Sequence, residues 1–285
     1  MRDTILIVGH GSRDAEGNQE VLDFADYWQS KHPQERVEVC FIELAEPLLA
    51  EGLRRAAQGS DRVIALPLIL NAAGHVKMEV PEAIRRARIE MPEVAFHYGR
   101  HLGSDEAILK LLRMRLHHAM VSLDMPDPKN TGVILLGRGS SDMSANAEVA
   151  RMARWIFETT RHDVVEYAYT GVTYPRLESM VQRLVRLEMM QIVILPYYLF
   201  TGRLIKRIGR QVARLRVQYP QIAVAQAGYL GIHEALVGLI GQRLDKVRQG
   251  GGEGMMECDC CKFSQMASQS GTAESAPRPA HEAHE

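Results

Sequence analysis

The 285-residue chain has no uninterrupted apolar run of about 18 residues, the length a membrane-spanning helix needs, so no transmembrane helix is expected. Its charges nearly cancel: 34 Lys and Arg stand against 35 Asp and Glu, a net charge of −1. That balance removes the usual argument for nucleic acid or an anionic membrane surface as partner. Cysteine is scarce, with four in all. Cys40 stands alone in an apolar stretch, while Cys258, Cys260 and Cys261 crowd together near the end. Such spacing is no disulfide framework and suggests metal instead. An apolar strand begins at Ile5, so no secretory leader and a cytoplasmic location are expected. What remains, at 46% hydrophobic and 24% charged residues, is a globular protein long enough for two ordinary domains.

What is present is an alternation of apolar runs and amphipathic stretches, the pattern of βαβ units and a parallel sheet. Residues 5–8 are apolar without a break and read as a strand buried on both faces. Gly9 and Gly11 then flank His10, leaving it on a bend with little steric cover. A helix is expected over 15–31, closed by Pro33, then a strand over 37–42 that ends at Glu43. Pro47 opens a helix to about residue 58, at a position where proline is permitted. A third strand covers 62–70, followed by the loop Asn71-Ala72-Ala73-Gly74-His75 and a helix over 76–90. Residues 94–98 are the fourth strand and 104–120 the closing helix.

The order then repeats. Gly137-Arg138-Gly139-Ser140-Ser141-Asp142 matches Gly9-His10-Gly11-Ser12-Arg13-Asp14 at an offset of 128. Asn146, Glu148, Pro175, Gly202 and Pro220 match Asn18, Glu20, Pro47, Gly74 and Pro92 at the same offset. Pro196 matches Pro67 at 129, a one-residue slip placed in the third strand or its loop. The fold class expected is α/β, with two tandem copies of a parallel-sheet unit facing each other across a cleft. The first half is 1–124 and the second 131–248, joined by the proline-broken linker 124–130. Residues 249–285 form a glycine-led tail too poor in apolar residues to order itself unaided.

The two copies differ where chemistry is expected. Arg138 stands for His10, Gly171 for Glu43 and, at the same offset, Arg203 for His75. All these positions follow carboxyl ends of expected strands, which in an open parallel sheet form one edge where ligands bind. His10, Glu43 and His75 make a reasonable set for a divalent metal. A dinucleotide fingerprint is rejected, because position 14, where the third glycine belongs, is Asp14. A phosphohistidine at His10 is thinly supported, with Arg13 its only nearby arginine in this copy. His97 and His101 flank Gly99-Arg100 near the same edge and read as a surface loop; His117 and His118 read as solvated.

With Gly9-His10-Gly11-Ser12-Arg13, Glu43, the loop from Leu70 to His75 and a degenerate second copy, residues 1–248 resemble the class II tetrapyrrole chelatases. The resemblance implies an enzyme that inserts a divalent metal into sirohydrochlorin for cobalamin synthesis, with Co²⁺ favoured and Fe²⁺ or Ni²⁺ as alternatives. With iron the same chemistry leads to siroheme. It implies that His10 and His75 bind the incoming metal, that one of them accepts protons and that Glu43 assists. Neutral imidazole suits both tasks, because its unperturbed pKa of about 6.5 lies near working pH. Ser12, Arg13, Leu70, Asn71, Ala72, Ala73 and Gly74 would line the macrocycle site. The substrate is rich in carboxylates, so Arg138 and Arg203 are expected to grip it from the second copy, with Lys77, Lys206 and Arg207 nearby. A non-catalytic cobalt or iron carrier is the competing reading. The tail segment Met256-Glu257-Cys258-Asp259-Cys260-Cys261 resembles a Met-x-Cys-x-x-Cys segment associated with an iron–sulfur centre. Its three thiolates leave open a cluster shared by two chains, a site completed by His281 or His284, or a tail that holds metal loosely. A monomer or a tail-linked homodimer follows accordingly.

Overall fold

The two uninterrupted apolar runs become the central strands of two separate sheets. The structure, a computed structural model, describes residues 2–250. In β1 (Asp3–Gly9), Ile5 and Ile7 face one core while Leu6 and Val8 face another, and all four are fully buried. This is why the run is continuous rather than alternating. The first half continues through α1 (Ala15–Lys31), β2 (Arg36–Phe41), α2 (Leu49–Ala57), β3 (Arg62–Pro67), α3 (Val80–Glu90), β4 (Ala95–Tyr98) and α4 (Glu106–Val121). The second repeats it as β5 (Thr131–Gly137), α5 (Met143–Thr159), β6 (Val164–Tyr169), α6 (Leu177–Arg186), β7 (Gln191–Pro196), α7 (Arg203–Gln218), β8 (Ala223–Gln226) and α8 (Glu234–Arg248). Both sheets are parallel, in the order β2-β1-β3-β4 and β6-β5-β7-β8. The chain therefore leaves β1 to one side and returns on the other, which makes a switch point between β1 and β3.

Helices α2 and α3 cover the outer face of the first sheet, and α6 and α7 that of the second. The inner faces share one core: Ile5 and Ile7 of β1 and Val133 and Leu135 of β5 belong to it together with Phe24, Trp28, Leu111 and Ile240. The closing helices are exchanged, with α4 packing on β7 and α8 packing on β3. Reciprocal arginines fasten the exchange. Arg243 on α8 donates to the Leu102 carbonyl at 3.0 Å, and Arg115 on α4 donates to the Leu230 carbonyl at 2.7 Å. Arg243 is 7% exposed and also pairs with Asp105 at 3.2 Å.

Three expectations change. Pro47 does not begin a helix: it follows a cis peptide bond, its carbonyl accepts from Phe41 N at 2.8 Å, and α2 starts at Leu49. The third strand ends at Pro67 rather than residue 70, since an apolar run does not by itself mark where a strand leaves its sheet. The helix expected from residue 76 begins instead as a π-helical turn, His75–Glu79, before α3. Pro81 supplies a reason, because it lacks the N–H that would bond to the carbonyl of Lys77 in an α-helix.

That turn also relocates the register slip. Lys77 N bonds to Ala73 O and Lys206 N to Gly202 O, an offset of 129. Farther on, Arg88 reaches Phe96 O and Arg216 reaches Val224 O, an offset of 128. The first half thus holds one extra residue between Lys77 and Arg88, where a π turn accommodates an insertion. The second half holds its own extra residue in α6, ten residues long against nine in α2. In space Arg203 therefore corresponds to Gly74, and His75 corresponds to Leu204.

Candidate active site

β1 ends at Gly9, and His10 follows at the carboxyl edge of the sheet. Two backbone bonds carry the β1–β2 pairing past the strands: Ile42 N to Gly9 O at 3.0 Å and Glu43 N to His10 O at 3.1 Å. This close approach needs Gly11. Its φ is +88°, and a Cβ there would lie 1.6 Å from the Glu43 carbonyl oxygen. The second half builds the same joint, with Gly139 at φ +85° and Gly171 N bonded to Arg138 O at 3.0 Å.

The joint sets the His10 and Glu43 side chains together, with His10 Nδ1 3.6 Å from Glu43 Oε1. That is too long for a good hydrogen bond. It suits two donors that each lie about 2.1 Å from one shared ion, at an angle of roughly 120°. Both side chains are partly open to solvent, at 30% and 37%. His75 opens the π-helical turn after β3, so the three positions follow three adjacent strands. His75 is described through its backbone alone. Among the described residues no three His, Cys, Asp or Glu side chains gather into a metal cage.

The second half reaches into the site. Arg138 Nη1 lies 3.3 Å from His10 Nε2. These two residues hold equivalent places in the two copies, so their meeting puts the site on the pseudo-twofold axis between the halves. Near it run two related ion pairs, Lys77 to Asp142 at 2.6 Å and Lys206 to Asp14 at 2.9 Å. Burial pushes the Asp142 carboxyl up, but Lys77 and backbone N–H groups more than offset this and hold it below its usual range. Both lysines are thus engaged across the halves, while Arg13, Arg138 and Arg203 are exposed.

Other predicted residues take other places. The Ser12 hydroxyl accepts from Asp14 N at 3.0 Å, and Asn18 bonds both the N–H and the carbonyl of Ser12 at 2.8 Å; Ser140 and Asn146 repeat this. Ser12 therefore shapes the His10 loop. The Leu70 and Ala72 side chains are buried in the cores, which leaves their backbone as the part that can face a ligand. Asn71 Oδ1 is buried with no hydrogen-bond partner among the described residues. Ala73 is half-buried, and Gly74 is exposed with open space where a Cβ would stand. His101 is no surface residue: it is 7% exposed, and burial pulls its pKa down to about 4. Cys258, Cys260, Cys261, His281 and His284 lie outside the described residues.

Glu20 and Glu148, read in the sequence as markers of the repeat, tie the halves together. Glu20 accepts from Thr201 N at 2.8 Å and from the Tyr229 hydroxyl, while Glu148 accepts from Ser104 N at 2.8 Å. Their recurrence at one offset was the available signal, since the fold alone does not demand glutamate on a helix.

Fold and site together define an internally duplicated, two-lobed α/β protein with an imidazole–carboxylate pair on its pseudo-dyad. The chain belongs to the CbiX family, whose model matches it twice, over residues 4–119 and 132–247. It is 37% identical over 263 residues to the sirohydrochlorin cobaltochelatase of Priestia megaterium, covering 91% of this chain and 84% of that one. It is 30% identical over 243 residues to the sirohydrochlorin ferrochelatase of the same organism, covering 85% and 89%. Among solved structures, SirB from Bacillus subtilis with Fe³⁺ superposes with a TM-score of 0.76 at 29% identity, covering 88% of this chain and 98% of that one.

Proposed function

We propose that the protein is a sirohydrochlorin chelatase that inserts Co²⁺ into the macrocycle with release of two pyrrole protons. The observation that carries this reading is the His10–Glu43 pair, 3.6 Å apart at the carboxyl edge of the first sheet and facing the second half. The 37% identity to a cobaltochelatase, against 30% to a ferrochelatase, favours cobalt and keeps Fe²⁺ as the second metal, since first-row ions share these ligands.

In this reading His10, Glu43 and His75 hold the incoming ion. Two imidazoles and one carboxylate bind it less firmly than a closed thiolate cage, so it can pass to the macrocycle nitrogens. The same groups take the pyrrole protons as they leave, imidazole being the natural acceptor near neutral pH. Arg13, Arg138 and Arg203 face the substrate carboxylates, with the backbone of Leu70 to Gly74 and the Ser12 loop forming the floor.

Anaerobic mixing of the protein with sirohydrochlorin and Co²⁺, Fe²⁺ or Ni²⁺ tests the proposal by the change in visible spectrum. Turnover with Co²⁺ at least as fast as with Fe²⁺ is expected, and binding of cobalt with no metallation would make the protein a carrier instead. The cysteine tail is a separate matter. Three thiolates fall one short of a four-cysteine cluster. Cys40 does not supply the fourth, because it is fully buried with its thiol pushed up to about 12 by burial. An iron–sulfur centre thus needs a tail histidine or a second chain. Anaerobically purified protein is expected to be brown and to contain acid-labile sulfide, and colourless, iron-free protein would end that idea.

A further inference from the structure

We propose that Arg138 is a gate on the metal site: it blocks His10 until a substrate carboxylate draws it away. The proposal rests on the chelatase reading and adds an order of events to it.

A guanidinium carries five N–H donors and no acceptor. Arg138 Nη1 lies 3.3 Å from His10 Nε2, so in this contact Nε2 is the lone-pair acceptor. A neutral imidazole has one proton, which must then sit on Nδ1, the nitrogen 3.6 Å from Glu43 Oε1. Neither nitrogen is open to a metal in that state. Nδ1 carries a proton, and Nε2 has the guanidinium in front of it.

Each way of binding metal breaks the contact. If the ion takes Nδ1, the shared position with Glu43, the proton moves to Nε2 and meets a group that can only donate. If the ion takes Nε2, it must occupy the space that Nη1 holds. In both cases a dication also approaches a fixed cation across a few ångströms. Arg138 and the ion therefore compete for one residue.

Arg138 is exposed and can swing away. Its head sits where a carboxylate-rich macrocycle would enter between the halves, and a guanidinium pairs with a carboxylate in a two-pronged contact stronger than its bond to a neutral imidazole. Substrate arrival would therefore release His10, so that the ion is captured firmly only when its acceptor is in place. This also gives the second copy a reason to carry arginine opposite His10. A second histidine there would strengthen metal binding whether or not the macrocycle were present.

The test separates the gate from the activity. Co²⁺ affinity is measured by titration calorimetry on the metal-free full-length protein without macrocycle, for wild type, Arg138→Met and Arg138→Gln. Initial rates of sirohydrochlorin metallation are measured in parallel. Removing one competing hydrogen bond of ordinary strength should tighten Co²⁺ binding about fivefold in Arg138→Met, and by less in Arg138→Gln, whose amide keeps an N–H donor. The KM for sirohydrochlorin should rise in the same proteins. Arg203→Met removes an equal charge from the same edge and should leave Co²⁺ affinity within about twofold. Unchanged or weaker Co²⁺ binding in both Arg138 variants overturns the gate, even if KM rises, and leaves Arg138 as a carboxylate grip. Failure of the wild type to metallate sirohydrochlorin would instead strike the functional reading, while the affinity ratio would still report on the Arg138–His10 competition.

Discussion

Gly11→Ala should cost far more than an exposed loop substitution ordinarily does. A Cβ on Gly11 would stand 1.6 Å from the Glu43 carbonyl oxygen, and that atom is backbone, so no side chain can turn aside to make room. The φ of +88° adds about 1–3 kcal/mol for a non-glycine residue. Relief requires the first two loops to part, which threatens the Ile42 N–Gly9 O and Glu43 N–His10 O bonds, each contributing about 0.5–1.5 kcal/mol net. The sum is roughly 2–6 kcal/mol. Gly74→Ala is the control. It has nothing within 4 Å and no positive φ, so its effect should stay within about 0.5 kcal/mol. Urea unfolding of both variants measures the difference, and metallation per folded molecule reports on the His10–Glu43 spacing. If Gly11→Ala unfolds within 1 kcal/mol of wild type, the close joint does not hold these loops and the derivation of the site geometry fails.

Other outcomes follow from the shared core and its buried groups. Stability should fall on acidification through His101: its folded pKa of about 4 lies below the unfolded value of about 6.5, so its contribution is complete above 6.5 and drains away toward 4. At pH 5 the loss attributable to this residue is about 2 kcal/mol, and His101→Gln should flatten that part of the unfolding free-energy profile. Arg243→Ala should destabilise by about 2–4 kcal/mol, because it leaves Asp105 and the Leu102 carbonyl without their shared donor at a buried joint; thermal or urea unfolding reads this directly. Residues 1–124 expressed alone should not form a stable monomer, since α4 packs on β7 of the missing half and the inner core is common to both; circular dichroism with size-exclusion chromatography decides.

The duplication and the alternation of strands and helices were legible, helped by β1 and β5, which are buried on both faces and so leave uninterrupted apolar runs. The bounds of α1 were legible too: Asp14 caps its first turn by accepting from Glu16 N, and Pro33 lies just beyond its end. The exchange of α4 and α8 was not, since an amphipathic stripe does not say which sheet it will cover. The π turn escaped because its extra residue is cancelled in the numbering by one in α6, so only the hydrogen-bond register reveals that His75 lies opposite Leu204. His101 was misread as a surface residue, because nothing local in Gly99-Arg100-His101 records the packing of a second lobe. The approach of Arg138 to His10 is likewise a product of the pseudo-dyad, which brings positions 128 residues apart to 3.3 Å.

In the proposed function the His10–Glu43 pair passes a metal to sirohydrochlorin and takes up its protons. The most direct test is a single-turnover absorbance trace with Co²⁺ and sirohydrochlorin, comparing wild type with His10→Ala and Glu43→Gln proteins shown to unfold at wild-type urea concentrations. Metallation is expected from the wild type, none above the uncatalysed rate from His10→Ala, and a slowing of roughly tenfold or more from Glu43→Gln. Wild-type rates from the folded His10→Ala protein would contradict the proposed function.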